Sequence, residues 1–598
     1  MPRDRCYPRR TVRLIEIRTL DGPNLYRLEP VLKVEVAIGR RRTWFGQREP
    51  APYNLIRLGA TVPRSAQHVR IAALADWIRR LRREHPDGAE GPVNVHRSSD
   101  PGHWILACPW ALDEKARAIA DAALAIVERD IPPVATDRLS PRHQRFLRRL
   151  GDRIDDATGV GPSWIRDADR HMPAVSITGT NGKTTTTRLA AHILRESGKR
   201  VGATTSDGIV IGTEIVEPGD WTGPGGAQVI LLRDDLDVAV LETARGGMLL
   251  RGMGYESNEA SVITNVSSDH MDLQGIHTLP ELAEVKAIVA RITKPDGWVI
   301  LNADDRYVAG IAAKAQAKVA FCSLEGDRSP LVRRHLRAGG RAYIVRDGHI
   351  GEADGDRWRD IIALASVPIA LGGVARHNVA NALAAVAAAR AMGASLEAVR
   401  SGLRTFVPSA EASRGRLNVF RDDRRIVIVD FAHNEAGVAV LMDVAESIAR
   451  TAGGRGGSGA AGPARPAAGA GRAPIIAIVG LAGDRPDDTL RGVGKIVAGR
   501  VDRLVLKEML HYLRGRTRES VIGEIRAGAR EGGWRGELPL YGSEVEAMAG
   551  ELERTDTAPV EVIVLLCHEQ REEIFELLAE RGLRPVDRPA ELARLVAG

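Results

Sequence analysis

Cysteine is scarce in this chain. Its four residues, Cys6, Cys108, Cys322 and Cys567, stand far apart and show no C-x-x-C spacing, which excludes a zinc ribbon or a disulfide framework as the organising device. No apolar run of about 18 residues occurs, and the start, Met1-Pro-Arg-Asp-Arg-Cys6, lacks an apolar signal core. These absences predict a cytoplasmic protein, with ATP and reduced thiols at hand. Long basic runs are missing too. Net charge is +7 and the pI about 9.3, yet 77 acidic residues are spread among 84 basic ones. That balance points to a solvated surface or an acidic substrate, with no nucleic-acid and no membrane partner expected. A glutaminase signature, a nucleophilic Cys with a nearby His motif, is also lacking. Cys567-His568 close an apolar strand, where core packing is the expectation.

What is present is organised around Pro173-Ala-Val-Ser-Ile-Thr-Gly-Thr-Asn-Gly-Lys-Thr-Thr-Thr-Thr187. Val175 and Ile177 mark a short strand, Gly179 to Gly182 a tight loop, and Thr184 the opening of a helix through Leu189, Ile193 and Leu194. Strand, glycine loop and helix aim backbone N–H groups at phosphate, and the helix N-terminus adds partial positive charge. Lys183 can reach β and γ phosphates, and the Thr184 hydroxyl can hold Mg²⁺. The loop G-T-N-G-K-T is shorter than G-x-x-x-x-G-K-[ST], because Ile177 stands where that pattern has its first Gly. Residues Gly179, Thr180, Asn181, Gly182, Lys183, Thr184 and Thr185 are therefore the candidate phosphate site for a nucleoside triphosphate.

A length of 598 residues suits roughly three to four domains. Residues 1–170 read as an α+β domain. Strands over 12–17 and 31–38 flank the turn Asp21-Gly-Pro-Asn24, helices cover 68–84 and 112–128, and a strand over 104–108 lies between them. Residues 171–410 alternate strands with helices, which predicts a mostly parallel sheet with helices on both faces and ligands at the strand carboxyl ends. Residues 411–598 read as a second, doubly wound α/β unit. It is interrupted by an Ala/Gly/Pro/Arg-rich insertion at 452–473, too poor in apolar side chains to bury surface and expected to be mobile.

Polar motifs fall at the strand ends. The strand over 236–241 runs into Glu242, a place for a Mg²⁺ ligand or general base, with an ordinary polar strand end as the alternative. The next turn carries Arg245, able to clamp a carboxylate or phosphate. A strand over 260–265 leads to Asp269-His270, where His270 can ligate metal or be structural. Lys286 lies in an expected helix over 282–292, normally a solvated position. Asn378 and Asn381 are one turn apart at the start of an Ala-rich helix; they can read a purine edge, or Asn378 can cap the helix. Arg416 precedes a strand, and a further strand over 426–429 ends in Asp430-Phe-Ala-His433-Asn434, either a site or a polar strand cap.

The motifs Asp207-Gly-Ile209, Thr222-Gly-Pro224, Leu241-Glu-Thr-Ala-Arg-Gly-Gly247, residues 265–270, Leu301-Asn-Ala-Asp-Asp305, Gly415-Arg416 and Asp430-Phe-Ala-His-Asn434 resemble those of the Mur ligase superfamily. That superfamily includes folylpolyglutamate synthetases and the C-terminal half of cyanophycin synthetases, and the likeness is nearest to the latter. It covers residues 173 to about 510, with a short echo at Thr19-Leu-Asp-Gly-Pro-Asn24. Cyanophycin synthetases carry an ATP-grasp domain between those two parts, and the spacing here leaves no room for one. The resemblance implies a ligase that forms an amide or isopeptide bond on an amino-acid or peptide carboxylate through an acyl phosphate, releasing ADP and phosphate. It implies ATP and two Mg²⁺ ions as cofactors, one ion on Thr184 and Glu242, the other on His270 and a carbamylated Lys286. Lys183, Glu242, His270, Lys286 and Arg245 become the catalytic set, with Arg245 near the acceptor carboxylate. Asn378 and Asn381 are placed near adenine, and Arg416, Asp430 and His433 close over nucleotide and substrate. The implied partners are a small-molecule or peptide carboxylate and an amino acid, with homo-oligomer formation left open. Two other readings stay open: an ATP-binding subunit that activates a carboxylate for a partner amidotransferase, and a folylpolyglutamate or cell-wall-precursor type of ligase.

Overall fold

The structure is a computed structural model that describes residues 12–38, 66–268, 271, 274–409, 413–455, 471–509, 511–555 and 558–596. Three sheets succeed one another along the chain. The first holds β1 (Val12–Leu20), β2 (Val31–Ile38), β3 (Asn94–Arg97) and β4 (His103–Pro109), antiparallel throughout in the order β1-β2-β4-β3. Along β2 the period of two sends Leu32, Val34, Val36 and Ile38 into a core shared with helices Ala66–Glu84, Asp113–Val127 and Pro141–Asp155. Lys33 and Glu35 consequently lie on the opposite face.

The central sheet comprises β5 (Ala174–Thr178), β6 (Val201–Thr205), β7 (Gly208–Ile211), β8 (Glu214–Pro218), β9 (Val238–Glu242), β10 (Asn258–Ile263), β11 (Thr293–Asn302), β12 (Lys318–Ser323), β13 (Arg341–Arg346), β14 (His349–Asp354) and β15 (Arg357–Ala363). Its order is β15-β14-β13-β12-β11-β10-β5-β9-β6-β7-β8. The stretch from β13 to β6 is parallel, and each edge is completed by two antiparallel strands. Parallel strands buried on both faces carry continuous apolar runs. Thus Val238 and Val240 join one core with helices Lys183–Glu196, Arg376–Ala391 and Leu396–Thr405. Ala239 and Leu241 join another with Pro224–Leu231, Arg245–Arg251 and Leu279–Lys286. The parallel sheet with helices on both faces is the architecture expected.

The third sheet runs β20 (Leu540–Tyr541), β19 (Arg503–Lys507), β18 (Ile475–Val479), β21 (Glu561–Leu566), β17 (Arg425–Asp430), β16 (Asn418–Arg421) and β22 (Arg584–Pro585). The first five are parallel, and β16 and β22 close the edge antiparallel. Among the described residues no helix is long and apolar enough to cross a membrane.

Three local expectations need correction. The helix expected over 282–292 breaks at Ala287 into Leu279–Lys286 and Ile288–Arg291. It begins earlier because Thr278 and Glu281 form a capping box. Arg245 sits in the first turn of a helix, not in a loop. The segment expected to be an insertion at 452–473 is helical at its start, where Glu435–Arg455 continues. At its end Ala473 is buried and donates its N–H to Ala449 O at 2.8 Å. Residues 456–470 of that insertion lie outside the described residues.

Candidate active site

The site forms where β5, β9 and β10 end. Gly179 (φ 153°) and Gly182 (φ 82°) adopt backbone conformations that favour glycine. A Cβ would lie 1.8 Å from Thr264 Oγ1 at the first and 2.1 Å from Asn381 Oδ1 at the second. The loop is braced from the end of β10. Thr180 N donates to Asn265 O (2.9 Å) and Asn181 N to Asn265 Oδ1 (2.9 Å), while Thr264 Oγ1 donates to Asn181 O (2.6 Å). Thr264 is a site-building residue that the sequence reading missed; its signal is a polar run directly after a buried strand.

Lys183 opens the helix Lys183–Glu196, and its Nζ donates to the carbonyls of Thr180 (2.9 Å) and Gly179 (3.2 Å). Thr184 is buried and donates its hydroxyl to Glu242 Oε1 at 3.0 Å. Ser206 N donates to the other oxygen at 3.3 Å. Glu242, the last residue of β9, is only 3% exposed. Burial pushes its carboxyl above the ordinary carboxylate range, with Lys183, Arg416 and the Thr184 hydroxyl pulling it back.

A cavity of about 400 Å³ joins the loop to Glu242, Arg245 and Lys286. Lys286 is 3% exposed, so it is a wall of this cavity and not the solvated side chain that its helical setting predicts. Its helix turns it inward because Leu282, Ala283 and Val285 share the buried core. His270 lies outside the described residues.

A second cavity of about 330 Å³ lies between the central and C-terminal units, lined by Gly182, Asn378, Asn381, Asp430 and the apolar side chains of Val262, Ile300 and Leu383. Arg416, Phe431 and His433 line both cavities. Asn378 and Asn381 share a helix face, as expected, but Asn381 Nδ2 donates to Asn378 Oδ1 (3.1 Å) and Asn378 Nδ2 to Ile369 O (3.1 Å). Asn378 does not cap the helix. Arg416 stacks on Phe431, its guanidinium 4.6 Å from the ring centroid. Asp430 accepts from Leu417 N (2.7 Å) and Ala432 N (2.8 Å). Burial raises its carboxyl, and Arg416 offsets part of that rise. His433 Nδ1 faces Phe431 O at 3.0 Å.

The Asp430–Asn434 segment is backed by a buried polar cluster. Lys507 Nζ pairs with Glu544, and both are fully buried. Glu544 also accepts backbone N–H groups from His568 (2.7 Å), Glu569 (3.1 Å) and Gln570 (2.8 Å). Burial and the Lys507 charge hold His568 neutral. Its Nδ1 then accepts from Lys507 (3.4 Å) and its Nε2–H donates to Ala432 O (3.1 Å). Cys567 and His568 are thus buried as expected.

Residues 177–389 match the Mur ligase middle domain, and the chain is similar to Mur ligases and cyanophycin synthetases over more than half of its length. Its relatives include cyanophycin synthetase of Trichormus variabilis, 39% identical over 412 residues, which are 69% of this chain and 43% of that protein. Cyanophycin synthetase of Synechocystis sp. is 40% identical over 337 residues, 56% of this chain and 36% of that protein. UDP-N-acetylmuramoyl-L-alanyl-D-glutamate–2,6-diaminopimelate ligase of Geobacter metallireducens is 31% identical over 387 residues, 62% and 66% of the two chains. The chain spans less than half the length of the cyanophycin synthetases it matches. Among solved structures it is similar to E. coli FolC in complex with DHPP and ADP, with a TM-score of 0.48 and 20% identity over 68% of this chain and 89% of that one.

Proposed function

We propose that this chain is an ATP-dependent ligase, cyanophycin-synthetase-like, that joins an amino-acid or peptide carboxylate to the amine of an amino acid. Residues 1–170, 171–410 and 411–598 act as three domains in the cytoplasm. The observation that carries the reading is the single cavity in which the loop Gly179–Thr185, Glu242, Arg245 and Lys286 meet. The first-turn N–H groups of helix Lys183–Glu196 receive the phosphates, and Lys183 leaves the Thr180 carbonyl for the β and γ oxygens. Arg245 presents its guanidinium to the acceptor carboxylate, bringing that anion to the γ-phosphate for attack. Loss of ADP leaves an acyl phosphate, and the amine displaces phosphate from its carbonyl carbon. Arg416, Phe431 and His433 roof the cavity and keep water from the acyl phosphate.

Thr184 and Glu242 supply a hydroxyl and a carboxylate oxygen, the ligand class Mg²⁺ takes, and a carboxylate as buried as Glu242 is stabilised by a cation. Lys286, once its Nζ has added carbon dioxide and released a proton, would present the two oxygens of a singly charged carbamate and would serve a second ion together with His270. Bound magnesium screens the repulsion between acceptor carboxylate and γ-phosphate. Asn378 and Asn381 border the apolar cavity that takes adenine.

The test is a phosphate-release screen of carboxylate and amine pairs with ATP and magnesium. Release that requires one carboxylate and one amine together supports the ligase. Release that requires a second protein supports an activating subunit instead. Lys286→Ala loses turnover and recovers part of it with added short carboxylates; full activity without them removes the carbamate.

A further inference from the structure

Asp207 and Gly415, both within motifs that the sequence marks, and the buried Lys507–Glu544 pair take no part in the steps above. One chain of contacts joins them and ends on Thr184 and Glu242. It starts in the C-terminal unit, where Glu544 accepts the N–H groups of residues 568–570 and so fixes the start of helix Arg571–Glu580. Gln570 Oε1 returns the contact, accepting from Glu544 N at 3.1 Å. Arg571, the first residue of that helix, therefore leaves from a rigid base. Its stem passes Gly415 so closely that a Cβ there would lie 2.5 Å from Arg571 Cδ. Its guanidinium then sits 5.5 Å from the centroid of the Phe431 ring, which also carries Arg416 at 4.6 Å. Nη1 donates to Asp207 Oδ1 at 3.0 Å.

Asp207 belongs to the central unit. With Ser206 it forms the two-residue turn between β6 and β7, where Thr205 pairs with Gly208. Arg188, one helical turn beyond Thr184, holds its other oxygen. Burial raises the Asp207 carboxyl, but Arg188, Arg571 and Arg416 outweigh that and keep it below the ordinary carboxylate range. A turn of two residues has no slack, so a pull on Asp207 reaches Ser206. Ser206 Oγ lies 3.2 Å from Thr184 Oγ1, and Ser206 N donates to Glu242 Oε2 at 3.3 Å. Both contacts are long for hydrogen bonds, so small displacements of the turn decide whether they hold. Arg188 ties Asp207 within the central unit, whereas Arg571 reaches it only from the docked C-terminal unit.

Resting on the ligase reading above, we infer that Arg571 and Asp207 are positioning residues: their ion pair makes docking of the C-terminal unit and the setting of Thr184 and Glu242 for magnesium a single event. Neither residue touches the reacting atoms. The undocked chain then holds magnesium weakly, and activation of the carboxylate waits for closure.

The test uses the full chain with manganese in place of magnesium, because electron paramagnetic resonance counts the free ion directly, and with saturating AMPPNP in place of ATP, so that no turnover is needed. Arg571→Met weakens manganese binding about tenfold or more, Asp207→Asn does the same, and the double variant is no worse than either single change because both break one link. Arg571→Lys, which keeps a cation within reach of Asp207, regains part of the affinity. Arg581→Met, which breaks a pair with Glu553 inside the C-terminal unit, leaves it unchanged. The nucleotide-free Arg571 variants melt with the unaltered protein. Unchanged manganese affinity in Arg571→Met, or losses that add in the double variant, overturns the inference. Failure of the ligase reading shows separately: the unaltered protein then takes up no manganese with AMPPNP, and the inference falls with it.

Discussion

Asn181, in the Gly179–Thr185 loop, and Asn434, in the C-terminal unit, exchange two amide hydrogen bonds. Asn434 Nδ2 donates to Asn181 Oδ1 at 2.9 Å, and Asn181 Nδ2 to Asn434 Oδ1 at 3.3 Å. The same Asn434 oxygen accepts from Gly437 N at 2.9 Å, so one side chain orders the start of helix Glu435–Arg455 and docks it on the loop. Arg571 makes a second tie to Asp207 at 3.0 Å, and Asp207 also pairs with Arg188. The two α/β units therefore meet at the Gly179–Thr185 loop itself.

Asn434→Ala removes both amide bonds across that junction. Each contributes about 1 kcal/mol, so the KM for ATP rises roughly tenfold or more while the fold persists. Steady-state kinetics and circular dichroism check the two halves of this outcome.

Gly182→Ala puts a methyl group 2.1 Å from Asn381 Oδ1 at a residue with φ 82°. The loop must shift, and ATP turnover falls by about 100-fold or more, as expected when phosphate donors move by an ångström. Thermal stability changes far less. Lys183→Ala, which introduces no clash but removes the ammonium and its bonds to the Thr180 and Gly179 carbonyls, loses turnover equally.

Glu242→Gln separates stability from activity. Burial raises the Glu242 carboxyl, so the folded state disfavours the anion that the unfolded chain carries at neutral pH. That cost is full well above the raised pKa and disappears as the pH falls below the ordinary carboxylate value. The amide removes it. In nucleotide-free protein the variant melts above the unaltered protein at about pH 8, the gap closes toward about pH 4, and turnover is lost at every pH. Calorimetry across pH reads the sign.

Lys507→Met strands the buried Glu544 carboxylate, a loss of about 3–5 kcal/mol. Glu544→Gln strands the lysine at a similar cost. The double variant loses less than the sum, because neither charge is then left alone. Denaturant unfolding of the four proteins measures the coupling.

Much of this arrangement can be read in the residues before any coordinates. The run Val175 to Thr178, the glycines and the polar-then-apolar helix signal declare the loop because each obeys a local rule, and Glu242 is exposed to inference by its place at the end of an apolar strand. Lys286 is different. Its burial depends on how helix Leu279–Lys286 docks, and only the likeness to a family marked it. The brace from Thr264, the Asn181–Asn434 exchange and the Asp207–Arg571 pair join residues far apart in sequence, and no local pattern selects such partners. The break at Ala287 carries neither Gly nor Pro, and helix Glu435–Arg455 overruns a compositional boundary because packing of its apolar face outweighs the glycines at its end.

The central claim is that a carboxylate oxygen attacks the γ-phosphate inside the cavity shared by Lys183, Glu242 and Arg245. The most direct measurement supplies the carboxylate that supports turnover labelled with ¹⁸O, then reads the released phosphate by ³¹P NMR. One ¹⁸O per phosphate, released with ADP, is the predicted result. Unlabelled phosphate, or AMP and pyrophosphate as products, contradicts the account.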